Sequence, residues 1–516
     1  MSTSLAITGE SLTPELVFLI ASDPAIQVGL DPQAAKKVTA SRDVVESVLS
    51  SGQTVYGVNT GFGALSHKRI PPEALADLQA NLVRSHAVGT GPLLEEPVVR
   101  AMMLLRANTL AKGFSGVRPV VIETLLALLN AGVHPIIPSK GSLGASGDLA
   151  PLAHLALSLI GEGEVMYLGD RMHSQEALEL TGITPLTLSA KEGLALLNGT
   201  QMMTAVGTLT LLKAEHLMAI AELAGCMSIE ALRGSHAPFD VRVASARPHP
   251  GHQASAHIAR KLLAHSEIES SHHDCGKVQD AYSMRCIPQV HGMVRDTLAH
   301  VREVLTLEMN AATDNPLVFP ASPEGPAAIL SQGNFHGEPV AMAMDMLSIA
   351  LAELASISER RIDKLMNPAF SELPPFLVPD NREGLHSGLM IVHYTAASLV
   401  SENKTLAHPA VVDSIPTSND KEDHVSMGAF AARKAEQVYQ NSRWVIAAEL
   451  YSAVQGLGFH HGVKPGIGVH AAYQYLRNFI PPVDQDRVMA PEIERVVTCI
   501  ENHGLYQAVC TQVGSF

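Results

Sequence analysis

The chain has little aromatic content: one Trp, nine Tyr and twelve Phe among 516 residues, fewer together than its 24 histidines. Cysteine is scarce as well. Cys226, Cys275, Cys286, Cys499 and Cys510 are odd in number and form no CxxC pair, which excludes a disulfide framework and points to free thiols in a reducing cytoplasm. Basic residues are outnumbered, 36 Lys and Arg against 51 Asp and Glu, giving a net charge of −15. A phosphate-binding surface needs the reverse, so nucleic acid is excluded as a partner. The first basic residue is Lys36, so no positive leader precedes the short apolar stretch 16–21. No run approaches the ~20 apolar residues of a membrane span, and no membrane association is expected. What remains is 46% apolar and 17% charged, a composition that folds rather than staying disordered. The length suits ~3 structural units.

Helix punctuation dominates the chain. Thr13-Pro14-Glu15 reads as an N-cap, a Pro in the first turn and an acidic residue behind it. Pro72 opens a second helix, with Leu75, Leu78 and Leu82 on one face, ending near Arg84-Ser85-His86. Pro97 to Ala111 and Pro119 to Asn130 read as further helices, the latter closed by Ala131-Gly132. Residues 134–147 form a Pro/Gly/Ser-rich loop, and a helix is expected from Asp148 to about Ile160. The best strand signal is a hairpin at Glu164–His173 around Gly169-Asp170. Long helices are expected over 201–232, 289–310, 338–366, 384–405 and 425–456. The reading is a mainly α protein: a smaller N-terminal domain over 1–200 and an elongated long-helix bundle over 201–516.

The loop Gly141-Ser-Leu-Gly-Ala-Ser-Gly-Asp148 carries the chemistry. It lacks the Gly-Lys-Ser/Thr of a P-loop, and Asp148 stands where a nucleophile elbow needs its last Gly. In Ala145-Ser146-Gly147 another reaction is open. The Gly nitrogen attacks the Ala carbonyl to close a five-membered ring, and Ser146 loses water to leave an exocyclic methylene. Gly supplies an unhindered nitrogen, Ala an accessible carbonyl and Ser a leaving hydroxyl. A helix starting directly after the triplet adds positive dipole to the electrophile so formed. The triplet alone is weakly specific, since a capping loop has the same composition.

The segment 141–154, GSLGASGDLAPLAH, resembles the signature of the aromatic amino-acid ammonia-lyases and aminomutases. YGVNTGFG (56–63), NLVRSHAVGTG (81–91), EGLALLNGT (192–200), VQDAYSMRCIPQVHG (278–292), GNFHGEP (333–339) and EDHVSMG (422–428) resemble further blocks of that family, in family order. The resemblance implies a fumarase/aspartase-like helical bundle. It also implies a methylidene-imidazolone (MIO) group formed autocatalytically from Ala145-Ser146-Gly147, with no external cofactor and no metal, and a homotetramer with sites shared between subunits.

By the same resemblance Tyr56 is the base for the substrate β-proton, a role that asks the site to favour the phenolate of a group with an ordinary pKa of ~10. Arg285 is the clamp for the substrate carboxylate, which a guanidinium grips with two parallel bonds. Asn198, Gln279 and Tyr282 line the site and hold electrophile, amine or carboxylate, and Phe335 walls the pocket. Ring selectivity falls on Ser85-His86. Phenylalanine-specific members carry apolar residues there and tyrosine-specific ones His-Leu, whereas Ser-His resembles the members acting on L-histidine. His86 would contact the imidazole; its alternative is a helix C-terminal cap. Glu422 supports the same reading, because a carboxylate accepts an imidazole N–H; its alternative is a solvated acidic run with Asp420 and Asp423. The implied reaction is L-histidine to trans-urocanate and ammonia, the opening step of histidine degradation. A lyase or 2,3-aminomutase acting on tyrosine or phenylalanine, a helical scaffold and a Ser146 hydrolase remain as rivals.

Asp420-Lys421 stands where many members have Asn-Gln, and Gln332 replaces a frequent Gly. The groups His272-His273-Asp274-Cys275, His249/His252/His257 and His460-His461 suggest metal, but none has HExxH or finger spacing.

Overall fold

The computed structural model describes residues 4–61, 68–272, 278–323, 325–379 and 384–516. Phe62, Gly63, His273, Asp274 and Cys275, named above, lie outside the described residues.

Helix ends follow the punctuation. Thr13 Oγ1 accepts the Leu16 N–H at 3.2 Å and Pro14 opens the helix Pro14–Ser22. Gly132, at φ +72°, closes Pro119–Ala131. The expected long helices are Gln201–Ala231, Ile287–Glu308, Glu338–Met366, Met390–Leu406 and Gly428–Leu457. The fourth starts later than read. The Ser387 and Gly388 N–H groups are held by the Asp486 carboxylate at 2.8 and 2.9 Å, and Gly388 takes φ +54°, so a turn occupies the segment read as helix. A further helix, Pro32–Ser51, escaped the reading although Asp31 caps it and Gly52 closes it at φ +69°. Its buried apolar stripe is thin, essentially Ala34, Val38 and Val45.

Glu164–Tyr167 and Asp170–His173 pair antiparallel as expected. Leu168 and Gly169, both at positive φ, form the turn. The Pro-rich stretch before the loop is not all irregular, since Pro138–Lys140 pairs with Thr90–Leu93 and His134–Pro135 joins the hairpin.

The chain divides into two compact units, each discontinuous in sequence. The first comprises Met1–Leu212, Val301–Asp345 and Pro409–Lys434; the second comprises Lys213–His300, Met346–His408 and Ala435–Phe516. In the first, the helix Glu96–Ala111 is almost wholly buried. Its Arg100 donates to the carbonyls of Ile20 and Leu129, at the ends of two helices. Lys191 and Asp314 form an ion pair at 2.7 Å without exposure. In the second, Arg361 and Glu449 are fully buried and doubly bonded, and Glu449 also accepts the hydroxyls of Ser228 and Ser358 at 2.6 Å. Every oxygen of that carboxylate is thereby used, as a buried charge requires.

Glu338–Met366 is long and apolar enough, by length and composition, to cross a membrane, which corrects the expectation that no segment comes near. It is a core helix: 67% of its most apolar stretch is buried, and its Asp345 pairs with Lys434 at 2.8 Å.

Some of the described histidines meet in pairs, such as His216 and His503 with ring centroids 3.9 Å apart. His216 and His460 bond the carbonyls of Ile500 and Ala231 at 2.8 Å, His252 lies 3.3 Å from Gln289 Nε2, and His291 is fully buried. Among the described residues no group of three or more His, Cys, Asp or Glu is arranged to hold a metal ion. Burial lowers the imidazole pKa of His134, His154, His216 (to about 4), His252, His291 and His460 below the ordinary 6.5. In the window below 6.5 the unfolded chain therefore binds more protons than the folded one, so stability is full above that pH and falls as the pH drops. Asp148, raised to about 6, and Glu308, also raised, act in the opposite sense, but they are fewer. Calorimetry is expected to show Tm highest near neutrality and falling steadily from pH 6.5 toward 4, with a shallower slope for His291→Gln. A Tm unchanged over that range contradicts the account.

Candidate active site

The loop 141–148 is shaped by its glycines and pinned from three sides. Gly144 and Gly147 sit at φ +71° and +75°. A Cβ on Gly147 would lie 2.1 Å from the Gly199 carbonyl oxygen, so only glycine fits there. Asp148 N–H donates to that same oxygen at 2.7 Å. On the other flank, Met427 N–H donates to Leu143 O at 2.8 Å, and Gly337 N–H and Ser426 Oγ both donate to Gly144 O at 3.1 Å. The triplet Ala145-Ser146-Gly147 thus spans two clamped ends. No acceptor among the described residues takes the Gly147 N–H, which leaves it free for the ring closure expected from the sequence.

Asp148 stands at the start of the helix Leu149–Leu159 but does not cap it. Its Oδ2 accepts Met202 and Met203 N–H at 2.9 and 3.0 Å, capping Gln201–Ala231 instead, and its Oδ1 accepts Ser142 Oγ at 2.9 Å. Burial pushes its carboxyl up to about 6 against those bonds.

Two predicted site residues meet the triplet. Asn198 Nδ2 donates to Ser146 O at 3.0 Å, and Ser146 Oγ donates to Glu422 Oε1 at 3.3 Å. Asn198 follows the short helix Glu192–Leu197, and its Oδ1 is buried without a partner. Glu422 is held by a closed turn: Thr417 and Glu422 exchange backbone bonds at 3.0 and 3.3 Å, and Thr417 Oγ1 donates to Oε2 at 3.3 Å. Its side chain is thereby fixed beside Ser146, while Asp420 and Asp423 are exposed. Lys421 and His424 are exposed as well. The orphaned Asn198 Oδ1, the glycine-only approach at Gly147 and the carboxylate at Ser146 fit a group made from this triplet.

Ser85 and His86 end the helix Leu75–His86. His86 Nδ1 faces Leu82 O at 2.8 Å. A carbonyl only accepts, so Nδ1 carries the proton, and in the neutral form of the ring Nε2 would present a lone pair. The capping alternative and the ring-contact reading are thus compatible, using different nitrogens. Gln79 of the same helix accepts Gly193 N–H at 2.9 Å, tying the helix that ends at His86 to the helix Glu192–Leu197. Tyr56 lies in a half-buried turn held by Asn59, whose Oδ1 accepts Val55 N–H at 2.9 Å and whose Nδ2 donates to Gln53 O at 2.7 Å. Phe335 is half-buried in the segment that Gly337 fastens to the loop.

Gln279, Tyr282 and Arg285 belong to the second unit. There the Arg285 guanidinium lies over the Tyr282 ring, 4.5 Å from its centroid, with its Nε buried and unpartnered. Tyr282 is 71% exposed.

Of three supporting residues, the sequence reading missed Arg106 and Gln79 and noted Gln332 only as a departure. Arg106 donates to Asn198 O and Gln201 Oε1, both at 2.8 Å; burial lowers its pKa to about 10, and it stays charged. A second cation, after Arg100, in a buried apolar helix was the available signal. Gln332 braces the Asp314-Asn315 segment, donating Nε2 to Asp314 O at 2.7 Å. Gln79 reads as an ordinary helix position and carried no signal.

The model of the family described as aromatic amino acid lyase matches residues 12–478, and the chain belongs to that family. Among curated relatives, the histidine ammonia-lyase of Alkaliphilus metalliredigens is 48% identical over 505 residues, 98% of either chain. Among solved structures, histidine ammonia-lyase from Trypanosoma cruzi superposes with a TM-score of 0.91 at 41% identity, over 99% of this chain and 96% of that one. Tyrosine aminomutase from Streptomyces globisporus superposes with a TM-score of 0.91 at 39% identity, over 99% of each. The helical fold expected from the sequence is the fold of this family.

Proposed function

We propose that the chain eliminates ammonia from L-histidine to give trans-urocanate. The observation that carries this reading is the pair of hydrogen-bond acceptors at the site: Glu422, held against Ser146, and the Nε2 lone pair of His86. Beside the Glu422 carboxylate the substrate ring is favoured as imidazolium, which offers two N–H donors to two acceptors, whereas a phenol offers one and a phenyl ring none. Both acceptors would go unmatched with phenylalanine and one with tyrosine, which is penalised once the bound ring shields them from water. Relatives named for histidine ammonia-lyase, aligned over nearly the whole chain, support the same substrate.

The methylidene carbon derived from Ser146 would supply the electrophile that turns the substrate amine into a competent leaving group. The chain's own residues divide the remaining work. Asn198 orients the Ser146 carbonyl through Nδ2 and keeps Oδ1 for a donor on the substrate or the group. Tyr56 takes the β-proton, Glu422 and His86 orient the ring, and Phe335 walls the pocket. Arg285 grips the carboxylate, with Gln279 and Tyr282 beside it in sequence.

A homotetramer with shared sites is part of the proposal. Leu307, Met342 and Phe430 on the long helices are 68%, 48% and 47% exposed, and Tyr282 is largely exposed in a block of proposed substrate residues. Where such residues join into a contiguous patch they mark a surface that a partner covers. Free Cys226, Cys286, Cys499 and Cys510 support a cytoplasmic setting. Incubation of the purified chain with L-histidine tests the function: trans-urocanate and equimolar ammonia are expected, and no urocanate rejects it. A chain that runs as a monomer in light scattering rejects the tetramer.

A further inference from the structure

We propose that His154 is a positioning residue for ring recognition, holding the turn that follows Ser85-His86 against the start of the electrophile loop. The inference rests on reading His86 as the contact to the imidazole. His154 lies on the helix Leu149–Leu159, directly after the loop. Gly89 N–H donates to its Nε2 at 3.1 Å. An amide N–H only donates, so Nε2 carries the lone pair and Nδ1 the proton. Burial lowers the His154 pKa and keeps this neutral form at neutral pH.

Gly89 has no slack on its other sides. A Cβ there would lie 3.2 Å from both His154 Nε2 and the Lys140 carbonyl oxygen, and a Cβ on Gly141 would lie 3.3 Å from Gly89 Cα. One residue on, Thr90 pairs with Lys140, and Leu93 with Pro138. Lys140 immediately precedes Gly141, the first residue of the loop. The segment after His86 is thus registered to the loop by a strand pair on one flank and by His154 on the other. Release of Gly89 lets His86 shift relative to the loop while the loop keeps its own clamps at Gly199, Ser426 and Met427.

The test compares His154→Leu, His154→Phe, His154→Gln and His86→Ala by steady-state kinetics on L-histidine, together with mass analysis of the peptide holding residues 145–147. The Leu and Phe variants are expected to raise KM about tenfold, equivalent to one lost hydrogen bond of about 1.4 kcal/mol, with kcat within about twofold. The two-water mass deficit of the peptide stays complete. Gln, whose Oε1 can accept the Gly89 N–H, restores KM to within about threefold of the parent. The Phe variant retains an aromatic ring without an acceptor and carries the test if Leu does not fold. Parental KM in Leu and Phe while His86→Ala raises it overturns the inference, as does a Gln variant as impaired as Leu, or a lost mass deficit. A parental KM in His86→Ala instead overturns the reading of His86.

Discussion

Ser146→Ala is expected to lower kcat by about 10³-fold or more, with the protein folded and KM little changed. The residue has no hydroxyl to lose, so the methylene cannot form, and the substrate amine is left as a poor leaving group. The hydroxyl that faces Glu422 at 3.3 Å belongs to the unmodified triplet and has already left in the mature parent, so its loss does not account for the effect. Mass analysis separates the causes. The parent peptide spanning 145–147 is expected to lack two waters and the Ala variant at most one. A parent peptide of full mass would contradict the electrophile and leave a Ser146 hydrolase or a scaffold as the better reading.

The second large effect is expected at Tyr56. Tyr56→Phe should lower kcat by about 10²- to 10⁴-fold, the usual worth of a positioned general base, while the two-water deficit stays complete. Phe keeps the ring in the turn that Asn59 holds and deletes only the hydroxyl. Combining it with Glu422→Gln tests whether the two act on one proton: residues sharing a step lose less together than the product of their separate losses. A Tyr56→Phe variant with parental kcat would move the base to another group.

Much of this was legible in the chain. Helix ends written locally came through: Thr13-Pro14, Pro119 with Gly132, and the 338–366 stripe that stops at Asn367-Pro368. Pro32–Ser51 was missed because its caps are clear but its buried face holds few apolar residues. The start at Met390 was missed because the carboxylate that sets it, Asp486, is far along the chain. The site shows the same division. Ala145-Ser146-Gly147, Asn198 and Glu422 were visible as residue types in motifs, and the bonds that join them bear out their proximity. The supports were not visible. Asp148 reads as the cap of the helix it precedes, yet its oxygens serve a helix that begins at Gln201. Gln79 and Arg106 act through partners over ninety positions away, which no local pattern encodes. The excess of histidines was the least readable feature; His216, His460 and His154 serve by bonding carbonyls and an amide.

The central claim is that acceptors at His86 and Glu422 choose the imidazole ring. The most direct measurement is a competition: purified chain with equimolar L-histidine, L-tyrosine and L-phenylalanine, the products separated and quantified in one reaction. Trans-urocanate is predicted to dominate by at least about 10²-fold, in line with sites that leave buried polar groups unmatched by the wrong substrate. Coumarate, cinnamate or a β-amino acid as the main product would contradict it.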